Sequence, residues 1–126
     1  MKDLSSPIIA TPLVVEQYNQ AALIGDAAAV AVLRGVPSAH AKRLDVLIAT
    51  PNVPGATVTV TLQVFGAGRR LSLVLPLLAA APCNGSTHAA AYDVTVPGTI
   101  MGSSFDVLVA VTNSNQTVAA WVIARS

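Results

Sequence analysis

Apolar and polar residues alternate strictly along Thr57-Val58-Thr59-Val60-Thr61-Leu62-Gln63-Val64. In an extended strand, successive side chains point to opposite faces. This segment therefore has one face of Val58, Val60, Leu62 and Val64 and another of Thr57, Thr59, Thr61 and Gln63. Its β-branched residues suit a pleated, half-buried surface. Leu71, Leu73 and Leu75 alternate in the same way with Arg70, Ser72 and Val74. Gly66-Ala67-Gly68 lies between the two runs and reads as a hairpin loop.

Further strands are expected over residues 8–16, 22–34, 43–50, 89–96, 105–112 and 117–125. The second of these has a possible break at Gly25-Asp26. Val53-Pro54-Gly55 and Val96-Pro97-Gly98 place Pro-Gly as a type II turn requires. Asn84-Gly85-Ser86 and Asn113-Ser114-Asn115 are loop-like clusters. About eight short strands separated by turns specify an all-β fold, a two-layer antiparallel sandwich or a barrel. Helix has weak support. Residues 18–24 have room for a turn or two, and Ala27-Ala28-Ala29 favours helix intrinsically. The latter runs into Val30-Ala31-Val32-Leu33 and reads better as strand. Leu44-Asp45-Val46-Leu47-Ile48-Ala49 also matches Phe105-Asp106-Val107-Leu108-Val109-Ala110. Each block is followed, after a turn-rich loop, by a Thr-Val strand. The expectation is two similar hairpins in equivalent parts of a sandwich, or else convergence within a small β alphabet.

At 126 residues the chain has the length of one domain, spanning residues 1–126. Only 10% of its residues are charged, 7 Lys+Arg against 6 Asp+Glu. An ordinary soluble domain carries about 25%. A monomer of this mass exposes roughly 6,300 Å², or about one charge per 480 Å², so apolar surface patches are hard to avoid. A net charge of +1 argues against nucleic acid as a partner, and 53% hydrophobic residues argue against disorder. Cys83 stands alone, which excludes a disulfide scaffold. One Cys and two His make no Cys/His metal cluster, and no cofactor motif is present. The longest uncharged run, residues 46–68, contains two prolines, a glycine-rich end and four threonines, so no apolar stretch of membrane-spanning length exists and no membrane partner is expected. Arg69-Arg70 followed by the apolar residues 71–81 imitates a signal peptide but lies mid-chain. The N-terminus has no such pattern, so secretion by a cleaved signal is not expected.

Candidate chemistry is sparse. Cys83 and His88 share a loop region, but no signature of a nucleophile and base surrounds them. His40 lies in a polar loop. Asp45 and Asp106 hold matching places in the repeat. They read as strand-edge charges that block wrong pairing, or as ion-pair partners of Arg43, Arg70 or Arg125 across an interface. Gly66-Ala67-Gly68 opens no helix and fails as a phosphate cradle. No catalytic residue is assigned, and no enzyme is expected.

Three segments, residues 26–34, 105–112 and 117–125, are apolar on both faces. In a two-layer sandwich one face of each strand normally meets water. A partner subunit is the economical cover for the second faces. Val30, Val32, Leu108, Trp121 and Ile123 are the candidate contacts there. Trp121 reads as a buried or interface residue; a sugar platform would set it beside Tyr92 on an exposed face. Pro7 and Pro12 disfavour helix and central strand in the first fifteen residues. Residues 1–15 are therefore a candidate extended arm, with Ile8, Ile9, Leu13, Val14 and Val15 as its contacts, or else an ordinary first strand.

The order of segments over residues 43–126 resembles the small jelly-roll decoration (cement) proteins of tailed-phage capsids. The likeness is carried by Leu44-Asp45-Val46-Leu47-Ile48-Ala49, the Thr57 to Gln63 alternation, Tyr92-Asp93-Val94-Thr95-Val96-Pro97-Gly98, Phe105-Asp106-Val107-Leu108-Val109-Ala110-Val111 and Ala119-Ala120-Trp121-Val122-Ile123-Ala124. It implies a jelly-roll sandwich and a virion protein made in the host cytoplasm and added to the capsid exterior. Its partner would be the major capsid protein, contacted non-covalently across neighbouring subunits, with self-association into a homo-oligomer. A carbohydrate- or receptor-binding module, or a tail or fibre-base component, is the alternative.

Overall fold

The computed structural model describes residues 14–37, 41–93 and 104–125. They form eight strands: β1 (Val14–Leu23), β2 (Val30–Pro37), β3 (Arg43–Ala49), β4 (Asn52–Gly66), β5 (Leu71–Asn84), β6 (Thr87–Asp93), β7 (Ser104–Val111) and β8 (Gln116–Arg125). Two antiparallel sheets result. Sheet I has the order β1-β8-β3-β6 and sheet II the order β2-β7-β4-β5. This is an eight-stranded jelly roll. Ile8, Ile9 and Leu13, most of the candidate arm, His40 and Val96-Pro97-Gly98 lie outside the described residues.

Burial alternates as the sequence pattern requires. Val58, Val60, Leu62 and Val64 of β4 face Val46, Ile48, Val118 and Val122 of sheet I across the core, and all are at most 4% exposed. Phe105, Val107, Val109 and Val111 complete the inner face of β7.

The repeat has a different meaning from two hairpins. β3 and β4 lie in different sheets, as do β7 and β8. Each repeat unit is an arch that crosses the core. β3 then pairs with β8 and β4 with β7, so the two arches interlock. Advancing every strand by four turns sheet I into sheet II: β1-β8-β3-β6 becomes β5-β4-β7-β2. Register follows the same rule. Asp45 lies opposite Ile123, and Asp106 lies opposite Gln63. The one strand-to-strand connection within a sheet is β4–β5, through Gly66-Ala67-Gly68 as expected.

Four local expectations are corrected. Residues 18–23 belong to β1, because packing against β8 outweighs a weak helical preference. Ala27 to Ala29 lie in the β1–β2 connection rather than in a strand. Val53-Pro54-Gly55 does not end a strand: β4 runs through it, with Gly55 at φ +82° where the pairing with β5 is interrupted. β5 continues past Pro76 and Pro82 to Asn84. It is an edge strand, where a missing N–H removes no ladder bond on the outer side.

The β1–β2, β4 and β7–β8 segments are stitched at one end of the sandwich. The Asp26 amide donates to the Val111 carbonyl (2.8 Å), the Gly25 amide to Asn115 Oδ1 (2.9 Å) and the Asn113 side-chain amide to the Gly55 carbonyl. A Cβ on Gly25 would meet the Ser114 backbone at 2.6 to 2.7 Å, so neither chain has room to yield. Gly25→Ala is expected to destabilise the fold by about 1–3 kcal/mol in chemical denaturation. Gly66→Ala meets nothing within 4 Å and should be near neutral. Equal effects would show that the stitched end does not limit stability.

Candidate functional site

The outward faces of the two sheets differ. In sheet I the cross-strand partners Tyr18, Trp121, Leu47 and Ala89 form one row across all four strands. The next row is Gln20, Ala119, Ala49 and Thr87. Most of these residues line a shallow concavity of about 380 Å³ bounded by Tyr18, Leu47, Ala49, Thr87, Ala119, Ala120 and Trp121. Tyr18 is 59% exposed and Trp121 half-buried. Trp121 Nε1 donates to Glu16 Oε2 at 3.1 Å, a diagonal cross-strand contact that fixes the indole. Gln20 Nε2 donates to the Tyr18 hydroxyl at 2.8 Å. The two neighbouring aromatic side chains are thus held by polar groups near the sheet edge, while Leu47, Ala49 and Ala119 beside them are apolar.

Charge gathers at one end of this face. Arg43 and Arg125 are direct cross-strand partners, an unfavourable like-charge pair. Asp45 bridges them, with Oδ1 3.0 Å from Arg43 Nε and Oδ2 3.4 Å from Arg125 Nε. The outer face of sheet II is built instead from Thr57, Thr59, Thr61 and Gln63 of β4 beside Asp106, Leu108 and Ala110 of β7. There Asp106 is buried. It accepts from the Gly35 amide (2.8 Å) and from Arg69 Nη2 (3.2 Å), and the Arg69 guanidinium lies 3.7 Å over the Phe65 ring.

β3 and β7 are inner strands of their sheets, so Asp45 and Asp106 cannot guard edges. Both are ion-paired within the chain, and the partner of Asp106 is Arg69 rather than Arg70. Of the candidate contact residues, Trp121 and Ile123 lie on the outer face of sheet I, and Leu108 lies on that of sheet II. Val14 and Val30 are 50% and 42% exposed at the edge strands, and Val15 packs against the core. Val32, by contrast, is buried and offers no surface for a contact. Register slips between Ala31 and Leu33, so Val32 and Leu33 are both buried, Val32 to 2%. Tyr92 packs against the core, and the neighbour of Trp121 is Tyr18. Tyr18 and Leu47 were missed by the sequence reading. The signal for Leu47 was present, since it alternates with Val46 and Ile48, but its pairing with Trp121 depends on β3–β8 register. Cys83 is 2% exposed in the core, and His88 Nε2 contacts the Pro82 carbonyl at 2.8 Å.

No family model matches the sequence, and no curated protein matches it. The fold is similar to solved viral structures. A chain in the structure of infectious bursal disease virus Gx strain superposes with TM-score 0.60 at 12% identity, covering 99% of this chain and 35% of that one. The present chain thus spans about a third of the length of that relative. A chain of the cyanophage Pam1 capsid asymmetric unit gives TM-score 0.56 at 19% identity, covering 98% of this chain and 93% of that one. A chain of the capsid of Ralstonia phage GP4 gives 0.51 at 13% identity, covering 97% and 90%. At these identities the likeness is one of fold.

The two related aspartates should differ in effect. Asp106→Ala leaves a part-buried amide and Arg69 without their acceptor, and is expected to cost about 2 kcal/mol. Asp45→Ala removes exposed ion pairs and should cost about 0.5–1 kcal/mol. Urea denaturation measures both, and the reverse order would refute the assignment of Asp106 as the structural one.

Proposed function

We propose that this chain is a structural virion protein that decorates a phage capsid and stabilises it by non-covalent contacts with major capsid protein subunits. One observation carries this reading: a row of side chains across the outer face of sheet I is apolar from edge to edge. Tyr18, Trp121, Leu47 and Ala89 have no charge among them, in a chain whose charges collect at strand ends. Aromatic residues in such a setting are the usual anchors of a protein contact. The likeness to similarly sized chains of two phage capsids supports it, since there too the jelly roll accounts for nearly the whole chain.

The mechanism would be clamping at the capsid exterior. A rigid sandwich buries the Trp121 row on the shell, and the Arg43–Asp45–Arg125 cluster forms a polar rim beside it. Of the candidate arm, Val14 and Val15 belong to β1, and residues 1–13 would act as an arm that adds a second tie. Repetition over the shell then raises occupancy through avidity. Trp121→Glu is expected to lower capsid occupancy by an amount corresponding to about 2 kcal/mol or more, roughly thirtyfold in affinity, with the fold intact by circular dichroism. Quantifying the chain on purified particles tests this. Occupancy equal to the parent's would remove sheet I as the docking face. Deleting residues 1–13 should weaken binding further, and unchanged occupancy would remove the arm.

The paired rings favour a second reading, a carbohydrate-binding module. Tyr18 and Trp121 flank a concavity of sugar size, and sugar rings stack on such aromatics. Glycan-array binding that disappears in both Tyr18→Ala and Trp121→Ala would support it. Absence of binding to any glycan would leave the capsid reading alone.

A further inference from the structure

The four sheet edges are unequally protected. β1 carries Glu16, Gln17 and Asn19, and the Asn19 side-chain amide donates to the Val32 carbonyl across the sandwich at 2.9 Å. β2 is broken by two register slips and carries Arg34, Gly35 at φ +61° and Pro37. β6 has seven residues and ends on Asp93. β5 is guarded over its second half only, by Pro76, Pro82 and register slips around Ala80, which has φ +44°.

Residues 87–92 of β6 are as regular, but present mainly alanine on the outer side; residues 71–75 of β5 join a regular register to large exposed apolar side chains. They pair with β4 in one unbroken register, from Gly66–Leu71 to Leu62–Leu75. They contain no proline and no charge. Leu71, Leu73 and Val74 are 68%, 51% and 53% exposed. Leu71 and Leu73 are on the core side of sheet II, in step with buried Leu62 and Val64, so the sandwich is uncovered at this corner. A regular, apolar edge of this kind is a template for another strand.

We infer that residues 71–75 pair antiparallel with the same residues of a second copy, about a two-fold axis at Leu73. Self-pairing sets Leu73 against Leu73, Leu71 against Leu75 and Ser72 against Val74. Uncharged side chains meet at every position. The nearby cations do not oppose this. Arg69 is drawn onto Asp106 and Phe65 on the adjoining strands. The two copies of Arg70 fall at opposite ends of the pairing, about 20 Å apart by strand rise and beyond the screening length. The exposed leucines would then close the open corner of each core with those of its partner.

The symmetry has a functional consequence. A two-fold axis relating antiparallel strands of one sheet runs perpendicular to that sheet, so it preserves the faces. Sheet II becomes eight-stranded, and both copies of sheet I lie on the same side of it. The two Trp121 faces then point the same way and would engage one surface at two points. This last step rests on the capsid-docking reading; the dimer itself does not.

Sedimentation velocity of the full chain and cysteine cross-linking test the pairing. The parent chain is expected to sediment as a dimer at about 10 μM, and Leu73→Lys as a monomer, with at least a tenfold weaker association. Residue 73 is half exposed, so the variant should keep its strand spectrum. Leu73→Cys should give a disulfide-linked dimer on mild oxidation, because directly opposed strand residues lie at disulfide distance. Leu71→Cys should not, since its copies sit four residues out of register. Native Cys83 is buried and does not compete. A monomeric parent, a dimeric Leu73→Lys, or cross-linking at 71 in preference to 73 would overturn the proposal. So would loss of the dimer on deleting residues 1–13, which would make that segment the occupant of the edge. A dimer that cross-links at 73 yet fails to bind capsids would leave the pairing standing and remove the docking reading.

Discussion

The whole architecture depends on two apolar sheet faces stacked about 10 Å apart. With one exception, each strand is followed in sequence by a strand of the other sheet. Local hairpin pairing therefore contributes little. An arch such as β3–β4 gains no ladder bonds between its own strands, and its inner residues Val46, Ile48, Val58 and Val60 are covered only when β7 and β8 have arrived. Burial and pairing must form together. Such non-local topologies fold slowly and cooperatively. The pseudo-two-fold reflects the same constraint, because two interlocked arches satisfy each other's edges and cores at once.

Much of this was legible because the period of two survives in the sequence. The alternation of Val58 to Val64, the β3-like and β7-like blocks and the Gly66-Ala67-Gly68 hairpin all appear where expected. What the pattern cannot carry is which strands are neighbours. The matching Asp45 and Asp106 blocks looked like hairpin starts because alternation says nothing about whether the next strand turns back in the same sheet or crosses the core. The same gap made both aspartates look like edge charges, when they sit in inner strands. Local irregularity was the second loss. A one-residue slip at Val32 moved a surface candidate into the core, and the tolerance of an edge for Pro76 and Pro82 lengthened β5 beyond its expected end.

The site was legible only by composition. Scarcity of charge says that apolar surface must exist somewhere, but Tyr18, Trp121, Leu47 and Ala89 are distant in sequence and become a row through three separate strand pairings. Trp121 alone stood out, since an aromatic on a strand whose other face is Val118 and Val122 needs cover on both sides.

The two outer faces show how a chain so poor in charge divides its surface. Sheet II presents threonines, which satisfy strand propensity and water together, and its buried Asp106 ties Gly35, Arg69 and the hairpin down. Sheet I presents alanine, leucine and aromatic rings. Small side chains at Ala49 and Ala119 leave the concavity, while Trp121 and Tyr18 stand at its border. A sandwich that needed only solubility would carry threonine on both outer faces. Here the threonine-rich outer face and the face with the apolar row lie on opposite sides of a core about 10 Å thick. An edge pairing that preserves faces, as antiparallel β5 pairing does, is the arrangement that keeps those two sides distinct when copies associate.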